Sequence, residues 1–355
     1  MRSPLIIFCI FAISWFGIFI LGPRWSPIEA VIWKAPSNPG LTPPFQPNNK
    51  LATITLIHVG NAPEHVACGL RGNLYTGLEG GVILRSGSDG IWHTLASTGG
   101  RPLGLRADNE GGVWVADALK GILHIDNTGQ IESLIDSQGE TPLLFVDDLD
   151  VDRDGNIWFS DASKRFGYRN VALDFYEGSS TGRLLKFNPT TKSLEVMIEG
   201  LFFANGVTLG PNEEYILVNE TGMGRVHRLW LKGELTGQRD IFLDKLPGTP
   251  DNIRFDGKDT FWIAMPALRA TLDMLAPLPT VRSFLSYLPA HFLEFADQAS
   301  SFVIGINSDG KVVHNLQDTE NAFHYITGVT PCGNQLYLGS LRNNAIGVMP
   351  IPGFP

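Results

Sequence analysis

"DDLDVDRDGNIWFSDAS", residues 147–163, decides between two folds. Read from Asp150 it is D-x-D-x-D-G-x-I, close to the calcium loop of an EF-hand. An EF-hand needs a helix on each side, a ligand at its ninth position and preferably a bidentate Glu at its twelfth. Here the flanks alternate apolar and polar residues as strands do, the ninth position is Trp158, and the twelfth is Asp161. The stretch is therefore a β-hairpin whose Asp and Gly residues make the turn.

The same pattern of polar turn, aromatic strand, Gly-containing turn and second strand recurs along the chain. It reads "RGNLYTGLEGGVILR" (71–85) and "EGGVWVADALKGILHI" (110–125), and then the opening stretch, whose partner strand "GRLLKFN" (182–188) follows an insertion. "NEEYILVNETGMGRVHRLW" (212–230) is the fourth copy. "GKDTFWIAMP" (257–266), answered by "SFVIGIN" (301–307), is the fifth, and "GNQLYLGSLRNNAIGVM" (333–349) is the sixth. The early copies are about 40 residues apart, the length of a four-stranded propeller blade. Six copies predict an all-β, six-bladed β-propeller over residues 51–355. A ring of blades must close, and "LATITLIHVG" (51–60) is placed to supply the outer strand of the last blade. Two insertions, 164–182 and 267–299, interrupt the third and fifth blades. The second has helix-like apolar spacing at Leu272, Leu275, Phe284, Leu285 and Leu288, and is expected to form a lid or to face a membrane.

Ahead of the propeller, residues 3–22 carry no charge. At about 1.5 Å per residue they span roughly 30 Å, the thickness of a bilayer's hydrocarbon core. No small-x-small cleavage site follows, so residues 1–23 are expected to be a transmembrane helix, an N-terminal anchor rather than a cleaved signal peptide. The anchor places the chain at a lipid bilayer as a single-pass membrane protein with the propeller outside the cytoplasm. Residues 24–50, rich in Pro and Asn, read as an extended linker. The formal charge of −9, with no basic cluster, excludes nucleic acid as a partner. Of three cysteines, Cys9 lies in the apolar run, leaving Cys68 and Cys332 as the one possible pair. Their offsets from the aromatic strands differ, which favours two separate thiols.

Propellers bind ligands on the axis, where each innermost strand begins. Just upstream of the aromatic strands, four places set polar groups in apolar company. They are Glu64 in "NAPEHVA", Asp147 and Asp148 in "FVDDLDV", Asn205 in "FFANGVTL", and Asp251 and Asn252 in "GTPDNIRF". Carboxylate and amide oxygens are hard ligands that suit Ca2+ or another divalent cation such as Mg2+. Carboxylates brought together without a cation would repel one another.

These motifs, with "GRPLGL" (100–105) and "ALDFYEGSSTGRLLKFNP" (172–189), resemble the strictosidine synthase-like branch of the gluconolactonase/regucalcin superfamily. The resemblance runs over nearly the whole chain after residue 50 and is strongest to membrane-anchored animal and bacterial members. It implies a six-bladed propeller with an axial metal, typically calcium. Carried over by motif, the metal ligands are Glu64, Asp147, Asn205 and Asp251, with Asp147 standing where the hydrolytic relatives have Asn. Asn252 is a further ligand or substrate contact. The paraoxonase-type His is replaced by Leu103. The catalytic Glu of the plant synthases has no counterpart, since His324 or its neighbours occupy that place and Glu320 lies too early. The implied activity is calcium-dependent hydrolysis of a small-molecule ester or lactone, with Asp251 as general base or nucleophile and Asp148 and His324 holding the substrate. A non-catalytic binding propeller is the alternative, and a condensing enzyme of the strictosidine synthase type is a third reading.

Overall fold

A computed structural model describes residues 26–87, 89–289 and 298–353 of the 355-residue chain. Six four-stranded antiparallel sheets form the blades. Their innermost strands are Val66–Cys68, Pro102–Ala107, Val146–Val151, Ala204–Leu209, Ile253–Phe255 and Ile326–Cys332. Each is followed by the aromatic strand that the repeat announced: Tyr75, Trp114, Trp158, Tyr215, Trp262 and Tyr337 all lie on second strands. The opening stretch is the hairpin between the first two strands of blade three. Asp152 caps its turn, accepting the Asp154 and Asn156 N–H groups at 3.0 and 2.8 Å. Its carboxylate is thus spent on the turn.

The ring closes with a strand from the N-terminal side. Thr55–His58 pairs antiparallel with Ala345–Pro350 in the last blade, from Thr55 opposite Val348 to His58 opposite Ala345. Closure removes two sheet edges that would otherwise expose unpaired backbone. Between blades the aromatic strands interleave. Tyr215, Phe261, Phe302 and their neighbours fill the seam of blades four and five, and Trp158, Leu184, Val207 and Ile216 fill that of blades three and four. Each such side chain contributes about 1.5–3 kcal/mol on burial.

Cys68 and Cys332 form a disulfide, contrary to the separate thiols expected from their offsets. Both cysteines end the innermost strands of adjacent blades, one and six. The offsets differ because a 3-10 turn, Leu70–Gly72, lengthens the first hairpin, whereas Cys332 lies directly opposite Gln335.

The described part of the linker is extended but docked. Ile28 and Phe45 are buried, and the Val31 amide donates to the Glu177 carbonyl at 2.8 Å. The Asn48 and Asn49 side chains tie it to the outer strand of blade five. The anchor expected at residues 1–23 lies outside the described residues, among which no helix is long and apolar enough to cross a membrane. Both insertions are partly helical. The first forms the helix Val171–Glu177 and the second the helices Ala270–Leu275 and Pro279–Leu285.

Candidate metal centre and its pocket

The innermost strands begin around the axis with a regular alternation. In blades one, three and five the leading pairs are Glu64-His65, Asp147-Asp148 and Asp251-Asn252. In blades two, four and six they are Leu103-Gly104, Asn205-Gly206 and Thr327-Gly328. A register irregularity falls at this point in the last three and in blade three, between Val146 and Leu149. Successive residues of a strand point to opposite sides, and here the first residues of the pairs Glu64, Leu103, Asp147, Asn205 and Asp251 line one pocket while His65 and Asp148 are fully buried. The glycines are required by close approach. A Cβ at Gly104 would lie 2.4 Å from an Asp148 carboxylate oxygen, and one at Gly206 would lie 2.5 Å from the Asp251 carbonyl. Large polar residues from alternate blades thus fill an axis that has no room for six.

The first members of the pairs meet. Carboxylate oxygens of Glu64, Asp147 and Asp251 all lie within 4.8 Å of one another, and all three residues are buried. The side-chain oxygens Asp147 Oδ1, Asn205 Oδ1 and Asn252 Oδ1 are buried with no hydrogen-bond partner. An unsatisfied buried acceptor costs about 1–3 kcal/mol, so three in one place call for a ligand. The donor set is entirely oxygen, which fits a hard divalent cation and offers no soft thiolate or imidazole. Without a cation the cluster resists ionisation. Burial pushes the Glu64 carboxyl up to about 7, with Arg101 opposing and Asp148 adding to the rise. Burial and the neighbouring Glu64 carboxylate raise both Asp147 and Asp251 well above the usual range.

The second members build the support. Asp148 is fully buried and pairs with Arg254 at 2.6 Å, and it accepts the Val207 N–H at 2.8 Å. It therefore does not face the pocket, and the substrate contact expected of it is replaced by an ion pair that joins blades three, four and five. His65 accepts the Leu105 N–H at Nδ1, 3.0 Å, and so directs Nε2–H to Thr330 Oγ1 at 3.0 Å. Burial, with Arg254 and Arg106, holds this imidazole well below its ordinary pKa and hence neutral. Asn252 donates to the Thr327 carbonyl at 3.0 Å and its amide nitrogen lies 3.5 Å from Asp251 Oδ1, while its oxygen is left without a hydrogen-bond partner.

Above the cluster lies a pocket of about 120 Å³ with apolar walls. Leu103, Phe145 and Phe203 come from the blades, Tyr168, Val171 and Phe175 from the first insertion, and Tyr325 from blade six. His324 is not among the lining residues. Its ring turns to the Asn321 carbonyl at 3.2 Å, because the chain passes through a left-handed conformation at Tyr325 (φ 55°) that gives the wall position to the tyrosine. One residue was not singled out from the sequence. Arg101 is buried, lies 3.5 Å from Glu64, and donates to the Ala62 carbonyl and the Tyr168 hydroxyl at 3.2 Å each. Its signal was its place in "GRPLGL", immediately before the start of blade two.

A propeller of six blades with an oxygen-lined axial site defines the architectural class. Among solved structures, a gluconolactonase from Xanthomonas campestris superimposes with a TM-score of 0.61 at 17% identity, over 85% of this chain and 91% of its own. A calcium-binding protein, regucalcin, from Agrobacterium tumefaciens gives 0.59 at 12% identity, over 83% and 90%. At these identities the likeness establishes the fold. The family follows from sequence. The family model for strictosidine synthase matches residues 147–234, and that for the strictosidine synthase-like N-terminal region matches 43–86. Strictosidine synthase-like protein 4 of Arabidopsis thaliana is 31% identical over 98% of this chain and 94% of its own. Adipocyte plasma membrane-associated protein of Danio rerio is 33% identical over 90% and 83%. The chain belongs to the strictosidine synthase-like family.

Proposed function

We propose that this protein is a calcium-dependent hydrolase of small esters or lactones, held at a membrane by residues 3–22 with the propeller outside the cytoplasm. The observation that carries the reading is the meeting of three buried carboxylates on the floor of an apolar pocket, together with the unpartnered amide oxygens of Asn205 and Asn252. Glu64, Asp147, Asn205 and Asp251 would hold the ion, with Asn252 beside them. When bound, a divalent cation supplies Lewis-acid polarisation of a substrate carbonyl.

The chain's own residues do the rest. Asp251 retains the most exposure of the three carboxylates, 7% against 2% for Glu64 and 3% for Asp147, and is the one able to take a proton from water or attack the carbonyl. Leu103, Phe145 and Phe203 exclude bulk water and bind the apolar part of the substrate. Arg101 fixes the Glu64 carboxylate and braces Tyr168 in the wall. The calcium-binding and gluconolactonase relatives of the fold support the reading, and the disulfide suits an oxidising compartment.

The test is hydrolysis of a panel of aryl esters and lactones before and after chelation. Activity that is lost with chelator and regained with calcium is the expected result. A folded, calcium-loaded protein that hydrolyses nothing on the panel would point instead to a binding propeller.

A further inference from the structure

The second insertion presents an unusual surface. Residues 270–289 contain only two charged side chains, Asp273 and Arg282. Asp273 is paired with Arg269 at 3.0 Å, and Arg282 is buried, donating to the carbonyls of Tyr176 and Glu177 at 2.6 and 2.9 Å. The outward face of the two helices therefore carries no free charge. It does carry exposed Met274 (67%), Leu278, Phe284 and Leu288. Beside them are exposed Val31 and Ile32 (66%), held there because Arg282 also donates to the Val31 carbonyl. Tyr287 of the same insertion is also exposed, and the remaining exposed large hydrophobics are scattered over the blades. A contiguous apolar patch of this kind marks an interaction surface.

The chain says what covers it. Ser26 Oγ lies 3.1 Å from Ser286 Oγ, on the same helical pair. Only four residue steps, through Pro23, Arg24 and Trp25, separate Ser26 from the end of the uncharged run at Gly22. Fully extended they reach roughly 14 Å. They include Arg24 and Trp25, residue types enriched at bilayer interfaces. If residues 3–22 span a bilayer, the patch cannot be far from its surface. Leu288 and Ser286 also line a groove of about 500 Å³ that shares Tyr168, Val171, Tyr325 and Leu341 with the axial pocket and carries the charged groups of Glu79, Arg169 and Arg342, so its mouth suits the polar headgroup layer rather than the hydrocarbon.

We propose that the face formed by Val31, Ile32, Met274, Leu278, Phe284 and Leu288 docks onto the lipid bilayer, so that the groove leading to the axial pocket opens at the headgroup surface. The inference rests on the reading of residues 3–22 as an anchor and adds that the propeller is held in one orientation, lid down. Ester or lactone substrates with apolar chains then reach the pocket from the membrane.

The test uses the full chain with Cys9→Ser, reconstituted in phosphatidylcholine vesicles. An environment-sensitive fluorophore is placed in turn at Met274→Cys, Leu288→Cys and Asp154→Cys, the last in the turn at the far end of blade three's inner strand. Flotation first establishes association with the vesicles. The expected result is blue-shifted emission at 274 and 288, quenched by nitroxide-labelled lipid, with neither effect at 154. Vesicle-bound protein in which 274 and 288 behave like 154 overturns the docking and leaves the anchor standing. Protein that does not float overturns both.

Discussion

Asp148 and Arg254 meet at 2.6 Å on the propeller axis, each fully buried, one residue beyond the carboxylate Asp147 and two beyond Asn252. The pair ties blade three to blade five, and a second Arg254–Asp148 contact at 2.8 Å with the Val207 N–H brings in blade four. Truncating one partner strands the other charge in the interior, which costs about 3–5 kcal/mol. We predict that Asp148→Asn lowers stability by that amount in urea unfolding with an unchanged slope, and weakens calcium binding because Asp147 loses its support. Arg254→Met in the same chain should recover part of the stability.

Asp251 is asked to serve both the ion and the chemistry. Asp251→Asn keeps an oxygen for the ion but removes the base. Turnover of the best ester or lactone should fall by about 10²–10⁴-fold, the usual worth of a general base. Calcium binding should weaken far less than in Glu64→Ala, which removes its oxygen ligand altogether. Steady-state kinetics and calorimetry on the same preparations separate the two effects. Equal activity of wild type and Asp251→Asn would remove the residue from the mechanism.

The Cys68–Cys332 bridge joins the first and last blades across 264 residues of sequence. Long closed loops gain most from such a constraint, about 2–5 kcal/mol for a native bridge. The double variant Cys68→Ser/Cys332→Ser should lose that much stability while its calcium affinity stays within a few-fold, because the bridge lies at the opposite end of the innermost strands from Glu64.

In the first insertion, burial raises the Asp174 carboxyl to about 7 from an ordinary 3.8. The Ser163 hydroxyl donated to it and the nearby Arg165 oppose the rise, and Glu177 adds to it. The folded chain therefore binds a proton that the unfolded chain releases. This contribution is complete below the unfolded value of 3.8 and is lost as pH rises toward about 7. Calcium-loaded protein should have a lower Tm at about pH 8 than at about pH 5, and Asp174→Asn should flatten that slope. An identical slope in the variant would place the titration elsewhere.

Much of this was legible because propeller repeats keep phase. Alternation with aromatic second strands marks each blade, so Glu64, Asp147, Asn205 and Asp251 could be aligned without coordinates, and the structure gathers them around the axis. What could not be read depends on local backbone and on contacts between blades. Asp148 follows Asp147 directly, yet it is turned from the pocket to the Arg254 guanidinium contributed by another blade, a partner the local sequence does not show. The left-handed turn at Tyr325 exchanges that residue for His324 in the pocket wall. A 3-10 turn hid the shared position of Cys68 and Cys332. The alternation of polar pairs with glycine pairs was present in the sequence, but its meaning requires knowing that neighbouring blades touch at Gly104 and Gly206.

The most direct measurement is calcium binding to the chelated full chain by isothermal titration calorimetry, with Glu64→Ala alongside. The account predicts a single site on the wild type, a matching rise in Tm of roughly the size that saturation confers, and loss of both in the variant. Wild-type protein that is folded yet binds no calcium, or a Glu64→Ala chain that binds it as tightly as wild type, would contradict the axial metal centre.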